Sequence, residues 1–342
     1  MTLAEACGSL IVLGLTAYAV LGGADFGTGL WEVTARRSRA EVRRLVEGSM
    51  GPVWEANHVW LIFVLVVAWT CFPVAFGSVA STLYVPLSLA AVGIILRGAA
   101  FATRGVGSGP RARTAYGALY AGSSVLTPFF LGAAVGAIAS GRVPLGNAAG
   151  DPVTSWWNPT SVLAGALAVA TGAHLAAVYL AADARRLGRA EMVDLFRGRA
   201  LVSGVVAGAL ALAGLLVVRS DARALYDGLI DDALWLVGLS AFAGVLTLVL
   251  VWRRMLGAAR VAGAVAVGAV LWGWVVAQAP ALLPGEVSIE EAAAARPTLV
   301  AVLVATGLGA LVLIPSLAYL FHLFLRGRLD KDPVPGSGAP LP

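Results

Sequence analysis

The sequence predicts an all-α, polytopic membrane protein in which about nine transmembrane helices form one bundle. Of its 342 residues, 59% are hydrophobic and only 13% are charged, whereas a soluble domain carries about 25% charged residues. Long uncharged stretches alternate with short basic loops along the chain. The 41 glycines agree with this class, because small residues let membrane helices approach each other closely.

The number of helices follows from the lengths of the uncharged stretches. A membrane helix needs about 20 apolar residues, but the stretch 56–96 would extend for about 60 Å as a single helix. It must therefore fold back, and Pro73 with Gly77-Ser78 offers the break. The first span is predicted to be a retained helix rather than a cleaved signal, because no basic segment precedes it. The predicted spans are 6–31, 52–76, 80–103, 114–140, 159–182, 200–218, 233–252, 261–281 and 297–325.

The basic residues predict the orientation of these helices. Twenty of the 24 Lys and Arg residues fall in the loops of one side, and the other side holds only Arg142, Arg219, Arg223 and Arg296. The positive-inside rule then places the N-terminus outside and the C-terminus in the cytoplasm. Because the basic residues act as topology signals in short loops, their excess does not predict a nucleic-acid partner.

Few residues are left outside the predicted spans. One transmembrane domain, 1–331, is expected, followed by a disordered cytoplasmic tail, 332–342, that is rich in Pro and Gly. In the first inside loop, Ser38 and Glu41 match a capping box, and apolar residues follow at helical spacing. We therefore expect 38–50 to be a short interfacial helix with its arginines among the lipid headgroups.

Five ionisable residues lie inside apolar segments. They are Asp25, Glu55, His58, His174 and His322. Such residues are functional candidates because they are energetically expensive within a membrane. With the orientation above, all five lie in the cytoplasmic half, which is what a proton entry route from the cytoplasm requires.

The acidic candidates also have a structural interpretation. Asp25 lies in a glycine-rich segment, where close helix approach would let it bond to an arginine or to the backbone. Glu55 and His58 share one helix face, and together with Asn57 they could form only a hydrogen-bonded cluster at the membrane surface. Both interpretations are left open by the sequence.

Haem or metal ligation by this chain is not predicted. The chain has no CxxCH motif, and a Glu-x-x-His motif occurs only once. Cys7 and Cys71 stand alone in apolar runs, so they are expected to be ordinary packing residues. His174 and His322 are expected to be interior or interface histidines rather than ligands.

Several segments resemble subunit II of the cytochrome bd-type quinol oxidases. Gly22–Gly29 (GGADFGTG) is similar to the end of the family's first helix, and Pro52–Leu61 (PVWEANHVWL) to its Trp-acid-x-Asn-x-x-Trp segment. An apolar run that ends at Cys71-Phe72-Pro73 follows, as in the family, and Arg97-Gly98 with Arg104 resembles the end of its third helix. The closing landmarks are Gly273-Trp274, Gln278-Ala279-Pro280 and Phe324–Arg328.

The chain departs from this family at two places. Many relatives have an acid at the position of Gly22, and many have Asp-Gly-Asn-Glu where this chain has Glu55-Ala56-Asn57-His58. A histidine loses its charge near pH ~6.5 and an acid near pH ~4. A proton path through His58 would therefore use different protonation chemistry.

The resemblance implies a role within a heterodimer. Subunit I, the partner, would carry two b haems, haem d and the quinol site, and a small single-helix subunit is a further possible partner. The complex would oxidise quinol and reduce dioxygen to water with cytoplasmic protons. It would lie in the bacterial cytoplasmic (inner) membrane, in contact with lipid and quinone.

This chain would hold no catalytic residue, haem or metal of its own. It would stabilise subunit I and supply part of a proton path. Asp25 and Glu55 are the first candidates for that path, and Asn57 and His58 are the second.

Two other functions are compatible with the sequence. A secondary transporter would also use buried carboxylates, but it would show paired interrupted helices in two halves of the chain. The acid-containing segments here lie close to the N-terminus instead. An assembly protein without a proton role would require that Asp25→Asn and Glu55→Gln disturb complex yield but not turnover.

Overall fold

Helices make up nearly all of the described chain. The structure, a computed structural model, describes residues 1–35, 38–50, 54–102 and 110–325. A π-helical turn, Tyr18–Gly22, joins α1 to α2, and a hairpin of β1 (Ala281–Leu283) and β2 (Val287–Ser288) precedes α13. The α-helices are α1 (Leu3–Ala17), α2 (Gly23–Thr34), α3 (Arg39–Met50), α4 (Trp54–Cys71), α5 (Pro73–Thr82), α6 (Tyr84–Ala102), α7 (Pro110–Ala139), α8 (Pro159–Arg186), α9 (Ala190–Asp221), α10 (Arg223–Asp231), α11 (Leu234–Trp252), α12 (Leu256–Gln278) and α13 (Arg296–Leu325).

The helix lengths confirm the predicted all-α membrane class. Among the described residues, seven helical segments are long and apolar enough to cross a membrane, and the bent pair α5–α6 raises this number to eight. The remaining predicted span corresponds to α4, whose 18 residues extend for about 27 Å, against about 30 Å for the hydrocarbon core. Nine spans, and the orientation of the two termini, stay predictions.

The first span is longer than predicted and contains a widened turn. It runs from Leu3 to Thr34, whereas the uncharged stretch predicted 6–31. The helix begins with a capping box, in which the Glu5 backbone N–H donates to Thr2 Oγ1 at 3.1 Å and the Thr2 N–H donates to Glu5 Oε2 at 2.8 Å. No sequence signal indicated the π-helical turn at Tyr18–Gly22.

The long uncharged stretch is interrupted at Pro73, as predicted, and a second time after α5. α4 ends at Cys71, and Pro73 begins α5, because proline has no N–H to continue the preceding helix but fits the first turn of a new one. Gly77-Ser78 lies inside α5, and a bend of 83° falls between α5 and α6. Ser78 Oγ accepts a hydrogen bond from the Gly146 N–H at 2.9 Å, which holds α5 under the loop that follows α7.

Two connections in the second half differ from the predicted ones. α9 begins at Ala190 rather than at residue 200, so most of the predicted loop 183–199 is helical. The short helix α10 was not predicted. It packs closely on α12, because a Cβ at Gly228 would lie 2.9 Å from the carbonyl carbon of Ala277.

The predicted interfacial helix exists, but its apolar face does not lie in lipid. Val42, Leu45 and Val46 of α3 are at most 1% exposed and pack against α8 and α9 through residues such as Ala181 and Phe196. The apolar spacing that suggested membrane contact reflects packing on protein, since both environments select the same pattern.

Two apolar clusters hold the bundle together, one near each end. The first contains α3 and joins α8, α9 and α12, and the second surrounds Cys7, Cys71, Phe72 and Leu83. Both cysteines are buried free thiols in this second cluster, in agreement with their predicted packing role. Among the candidate spans, α8 has the largest share of buried residues, 56% of an apolar 18-residue window, and α13 has the smallest, 6%. α8 therefore lies at the centre of the bundle and α13 at its edge.

Candidate functional site

A buried ion pair joins α2 to α6. Arg97 Nη2 lies 3.0 Å from Asp25 Oδ1, and the two residues are only 3% and 1% exposed. The same nitrogen donates to the Asp25 backbone carbonyl at 2.5 Å. Asp25 lies in the first turn of α2 and Arg97 near the end of α6, so the pair lies towards the end of the bundle where α2 ends and α4 begins.

Hydroxyl groups of α2 and α7 complete the network around the guanidinium. Arg97 Nη2 lies 3.0 Å from Tyr120 Oη, and Nη1 donates to Ser124 Oγ. Tyr120 Oη is also 3.0 Å from Thr28 Oγ1, which donates to the Asp25 carbonyl at 2.7 Å. Each of these groups is buried. Several shared hydrogen bonds therefore offset the desolvation of a charge pair that would otherwise be unfavourable.

Two aromatic rings enclose the guanidinium of Arg97. Its Cζ lies 4.3 Å from the ring centroid of Tyr120 and 4.8 Å from that of Phe26. Both distances lie in the range of cation–π contacts. Arg97 is thus held by charge, hydrogen bonds and ring faces at once, and lysine could not reproduce this arrangement.

The glycine-rich segment of α2 brings the helices close enough for this network. A Cβ at Gly27 would lie 2.8 Å from the Ala173 nitrogen and would overlap the Gly172 carbonyl, and a Cβ at Gly172 would lie 2.7 Å from the Gly23 oxygen. Gly23 and Gly27 are four residues apart, which is the spacing of the small-residue motif for close helix crossing in membranes. On the other side of α2, a Cβ at Gly29 would meet Ser124.

His58 lies next to two aromatic rings, one of which, Phe26, also contacts Arg97. Its ring centroid is 6.1 Å from that of Tyr18 and 5.8 Å from that of Phe26. His58 and Tyr18 both lie within electrostatic range of Asp25 and Arg97. The Tyr18 hydroxyl and Asp25 Oδ2 are buried and form no hydrogen bond with the described part of the protein.

The predicted site residues are only partly brought together. Asp25 lies at the centre and His58 beside it, while Asn57 is buried and donates to the Leu21 carbonyl at 3.4 Å. The side chains of Glu55 and His322, like the predicted tail 332–342, lie outside the described part of the chain.

His174 is remote from this network. Its Nδ1 lies 2.9 Å from the Ala200 carbonyl oxygen. The ring packs against Gly204, where an added Cβ would be only 2.8 Å from the ring atom Cε1. These contacts agree with the interior role predicted for it.

Four residues in and beside the network were not predicted from the sequence. Arg97 was noted only as a landmark and counted with the loop arginines, whereas it is 3% exposed. Tyr18, Tyr120 and Ser124 were not singled out at all, because hydroxyl residues are common in membrane helices and their positions relative to Asp25 depend on the π-helical turn and on how α7 packs against α2. An arginine inside an apolar stretch is the one signal that would have indicated a partner for Asp25.

One closing landmark of the chain has a local structural role. Trp274 Nε1 donates to Gln278 Oε1 at 2.7 Å, and Gln278 Nε2 donates to the Leu282 carbonyl at 2.9 Å. These bonds fix the start of the hairpin after α12. None of the residues involved belongs to the ion-pair network. Within the described residues, no group of three His, Cys, Asp or Glu side chains could hold a metal ion.

Fold and site together define a multi-pass membrane protein that holds a buried, aromatic-enclosed ion pair near one end of its helix bundle. The chain belongs to the cytochrome bd terminal oxidase subunit II family, whose model matches residues 3–324. This match confirms the family that the sequence motifs suggested.

Two known proteins illustrate the similarity. The chain is 30% identical over 96 residues to cytochrome bd ubiquinol oxidase subunit 2 of Bacillus subtilis (strain 168), and the match spans 28% of this chain and 28% of that relative. Its fold is similar to that of a chain of the bd oxidase from Geobacillus thermodenitrificans, with a TM-score of 0.74 and 26% identity. That similarity covers 97% of this chain and 100% of the other.

Proposed function

We propose that this chain is subunit II of a bd-type quinol oxidase in a bacterial cytoplasmic membrane. The complex oxidises quinol and reduces dioxygen to water with protons from the cytoplasm. The chain stabilises the haem-bearing subunit I and supplies part of the proton path. The observation that carries this proposal is the family match over residues 3–324 together with similarity to a bd oxidase chain over nearly the full length.

The haems are assigned to the partner in this proposal. Subunit I holds two b haems and haem d, which supply the redox chemistry, and quinol is the substrate of the complex. The exposed apolar side chains of helices such as α13 leave a large surface for subunit I, a small single-helix subunit, quinone and lipid.

The polar network suggests how the chain takes part in proton transfer. Arg97 balances the charge of Asp25 and bonds to one of its carboxylate oxygens, Oδ1. The second oxygen, Oδ2, is buried and forms no bond with the described residues, so it is available to a water chain. Glu55 and His58, at the start of α4, are the proposed connection from Asp25 to the cytoplasm.

The transporter alternative has less support. It requires interrupted helices in both halves of the chain, whereas α5–α6 is the single bent pair found in the described residues. The scaffold alternative is separated from the proton-path proposal by the variants below.

Purification of the intact complex tests the identity. We expect that this chain, tagged and extracted in mild detergent, co-purifies with a second polytopic chain and shows haem b and haem d bands in a reduced-minus-oxidised spectrum. Haem bands that stay with this chain after the two chains are separated would contradict the assignment of the haems. A colourless preparation without a partner, when crosslinking in membranes also finds none, would contradict the oxidase function.

The proton role of the acidic residues is tested by removing their charge. Asp25→Asn or Glu55→Gln is expected to lower turnover per haem by about tenfold, which corresponds to about 1.4 kcal/mol in the barrier. Haem content of the assembled complex should not change. Asparagine at position 25 still accepts a bond from Arg97, and Arg97 keeps its bonds to Tyr120 and Ser124, so the complex should assemble at a reduced yield.

Asp232→Asn is the matched control for the carboxylate substitutions. Asp232 is an exposed carboxylate at the end of α10, remote from the network. Its substitution should leave both yield and turnover unchanged. Normal turnover per haem in both Asp25→Asn and Glu55→Gln would rule out the proton path and leave a structural role.

A further inference from the structure

Two polar atoms at the ion pair are buried and form no hydrogen bond with the part of the protein that the structure describes. The Tyr18 side chain is only 7% exposed and Asp25 only 1%, and neither Tyr18 Oη nor Asp25 Oδ2 forms a hydrogen bond with the described residues. Buried polar groups in proteins almost always have a partner, which is either protein or ordered water. Leaving a buried hydroxyl and a buried carboxylate oxygen unpaired costs about 1–3 kcal/mol each, or more for the charged group.

The two groups belong to the same part of the first span. Tyr18 is the first residue of the π-helical turn, and Asp25 lies in the first turn of the helix that follows it. The Tyr18 ring lies against Gly22, where an added Cβ would be 2.9 Å from ring atoms Cδ2 and Cε2. Its hydroxyl interacts electrostatically with both Asp25 and Arg97.

The π-helical turn sets this arrangement. It covers Tyr18–Gly22, immediately before the helix that carries Asp25. Such turns are rare, and within helices they occur frequently at functional sites. Here the absence of a side chain at Gly22 lets the tyrosine ring lie along the helix towards Asp25.

The surroundings contain both apolar and polar groups. The ring centroids of Phe26 and His58 lie 6.5 and 6.1 Å from that of Tyr18. Arg97 bonds to Asp25 Oδ1 and to Tyr120 Oη. These bonds leave Asp25 Oδ2, which forms no hydrogen bond with the described residues, as the free carboxylate oxygen.

We propose that Tyr18 Oη and Asp25 Oδ2 together hold an ordered water molecule, and that Tyr18 is a positioning residue for proton transfer at Asp25. The water donates one hydrogen to Asp25 Oδ2 and accepts one from the Tyr18 hydroxyl. The water site follows from the two unsatisfied groups, and its part in proton transfer rests on the proposed oxidase function.

A structure of the assembled complex tests the site directly. In the wild-type complex, electron cryo-microscopy that resolves ordered water is expected to show density within about 3.2 Å of both oxygen atoms. Tyr18→Phe keeps the ring and removes the hydroxyl, and this density should then disappear. Absence of the density in the wild type, or its persistence at the same place in Tyr18→Phe, would overturn the proposal.

Kinetics test the positioning role separately. Tyr18→Phe is expected to lower turnover per haem by about three- to tenfold, the range of one lost hydrogen bond, and to increase the solvent isotope effect. KM for quinol and haem content should stay unchanged, because the substitution lies apart from the quinol site on subunit I. Tyr84→Phe, which changes an exposed tyrosine of α6, is the control and should alter none of these quantities.

The outcomes separate this inference from the proposed function. If the density is present and Tyr18→Phe removes it, but turnover is unchanged in Asp25→Asn and Tyr18→Phe alike, the water site stands and the proton path fails. If Asp25→Asn lowers turnover while Tyr18→Phe has no effect on rate or isotope effect, the proton path stands and the positioning role of Tyr18 is wrong.

Discussion

Replacing Arg97 with leucine is expected to remove most of the assembled complex from the membrane. The substitution leaves the Asp25 carboxylate uncompensated between α2 and α6, and it also removes the bonds from Arg97 to Tyr120 and Ser124. Breaking one side of a buried ion pair costs about 3–5 kcal/mol, which is a large part of the stability of a typical fold. The amount of complex is measured in membranes with a tag on this chain, together with the thermal unfolding of any complex that can be purified.

A double variant tests whether the loss arises from the unpaired charge. Asp25→Asn combined with Arg97→Leu removes both charges, and replacing both partners of a buried pair is often nearly neutral. We therefore expect the double variant to accumulate better than Arg97→Leu alone, as a double-mutant cycle would show. Arg253→Leu changes an exposed arginine and should leave the yield unchanged. Wild-type yield in Arg97→Leu would show that the ion pair does not hold the helices together.

Gly27→Ala is expected to have a comparably large effect by a different route. An added methyl group would lie 2.8 Å from the Ala173 nitrogen and would overlap the Gly172 carbonyl, so α2 and α8 would have to separate. Overpacking in a well-packed core costs typically about 1–3 kcal/mol and occasionally more, and here the obstacle is backbone rather than a flexible side chain. Separation would also displace Asp25, which lies two residues earlier on α2. We expect low yield and, in the complex that does assemble, reduced turnover per haem.

Glycines without close neighbours provide the control. Gly208 of α9 and Gly244 of α11 have no atom within 4 Å of an added Cβ. Alanine at either position should be neutral or slightly stabilising, since alanine is favoured over glycine in a helix by about 1 kcal/mol. A Gly27→Ala complex as abundant and active as these controls would disprove the close-packing explanation for the glycine-rich segment.

The sequence predicted most spans to within a few residues because hydrophobic length is a local property. α8 was expected at 159–182 and is Pro159–Arg186, where Asn158 caps the helix and Pro159 occupies its first turn. The prediction was less accurate where the helix continues beyond the apolar stretch. α9 starts ten residues before the expected position, since its charged first turns are stabilised by packing on α3 and α8 rather than by lipid.

The ion pair was only half predictable. Asp25 stood out because an acid in an apolar span is expensive, and an arginine was considered among its partners. The identity of that partner depends on how α6 packs relative to α2. The long uncharged stretch before Arg97 does not indicate which helices are neighbours. The wide turn at Tyr18 also had no indication, because π-helical turns are rare within α-helices and the apolar pattern of the span does not distinguish them.

The sequence by itself determined the class of protein, the approximate positions of the spans, the family and the central acid of the site. These properties depend on composition, on local hydrophobic length and on residues a few positions apart. Only the tertiary structure decided that Arg97 is the partner of Asp25, that α3 packs on protein, and that Tyr18 points a buried hydroxyl towards the ion pair. The physical reason is that these contacts join separate helices, and their geometry depends on how closely glycines such as Gly27 and Gly172 let the helices pack.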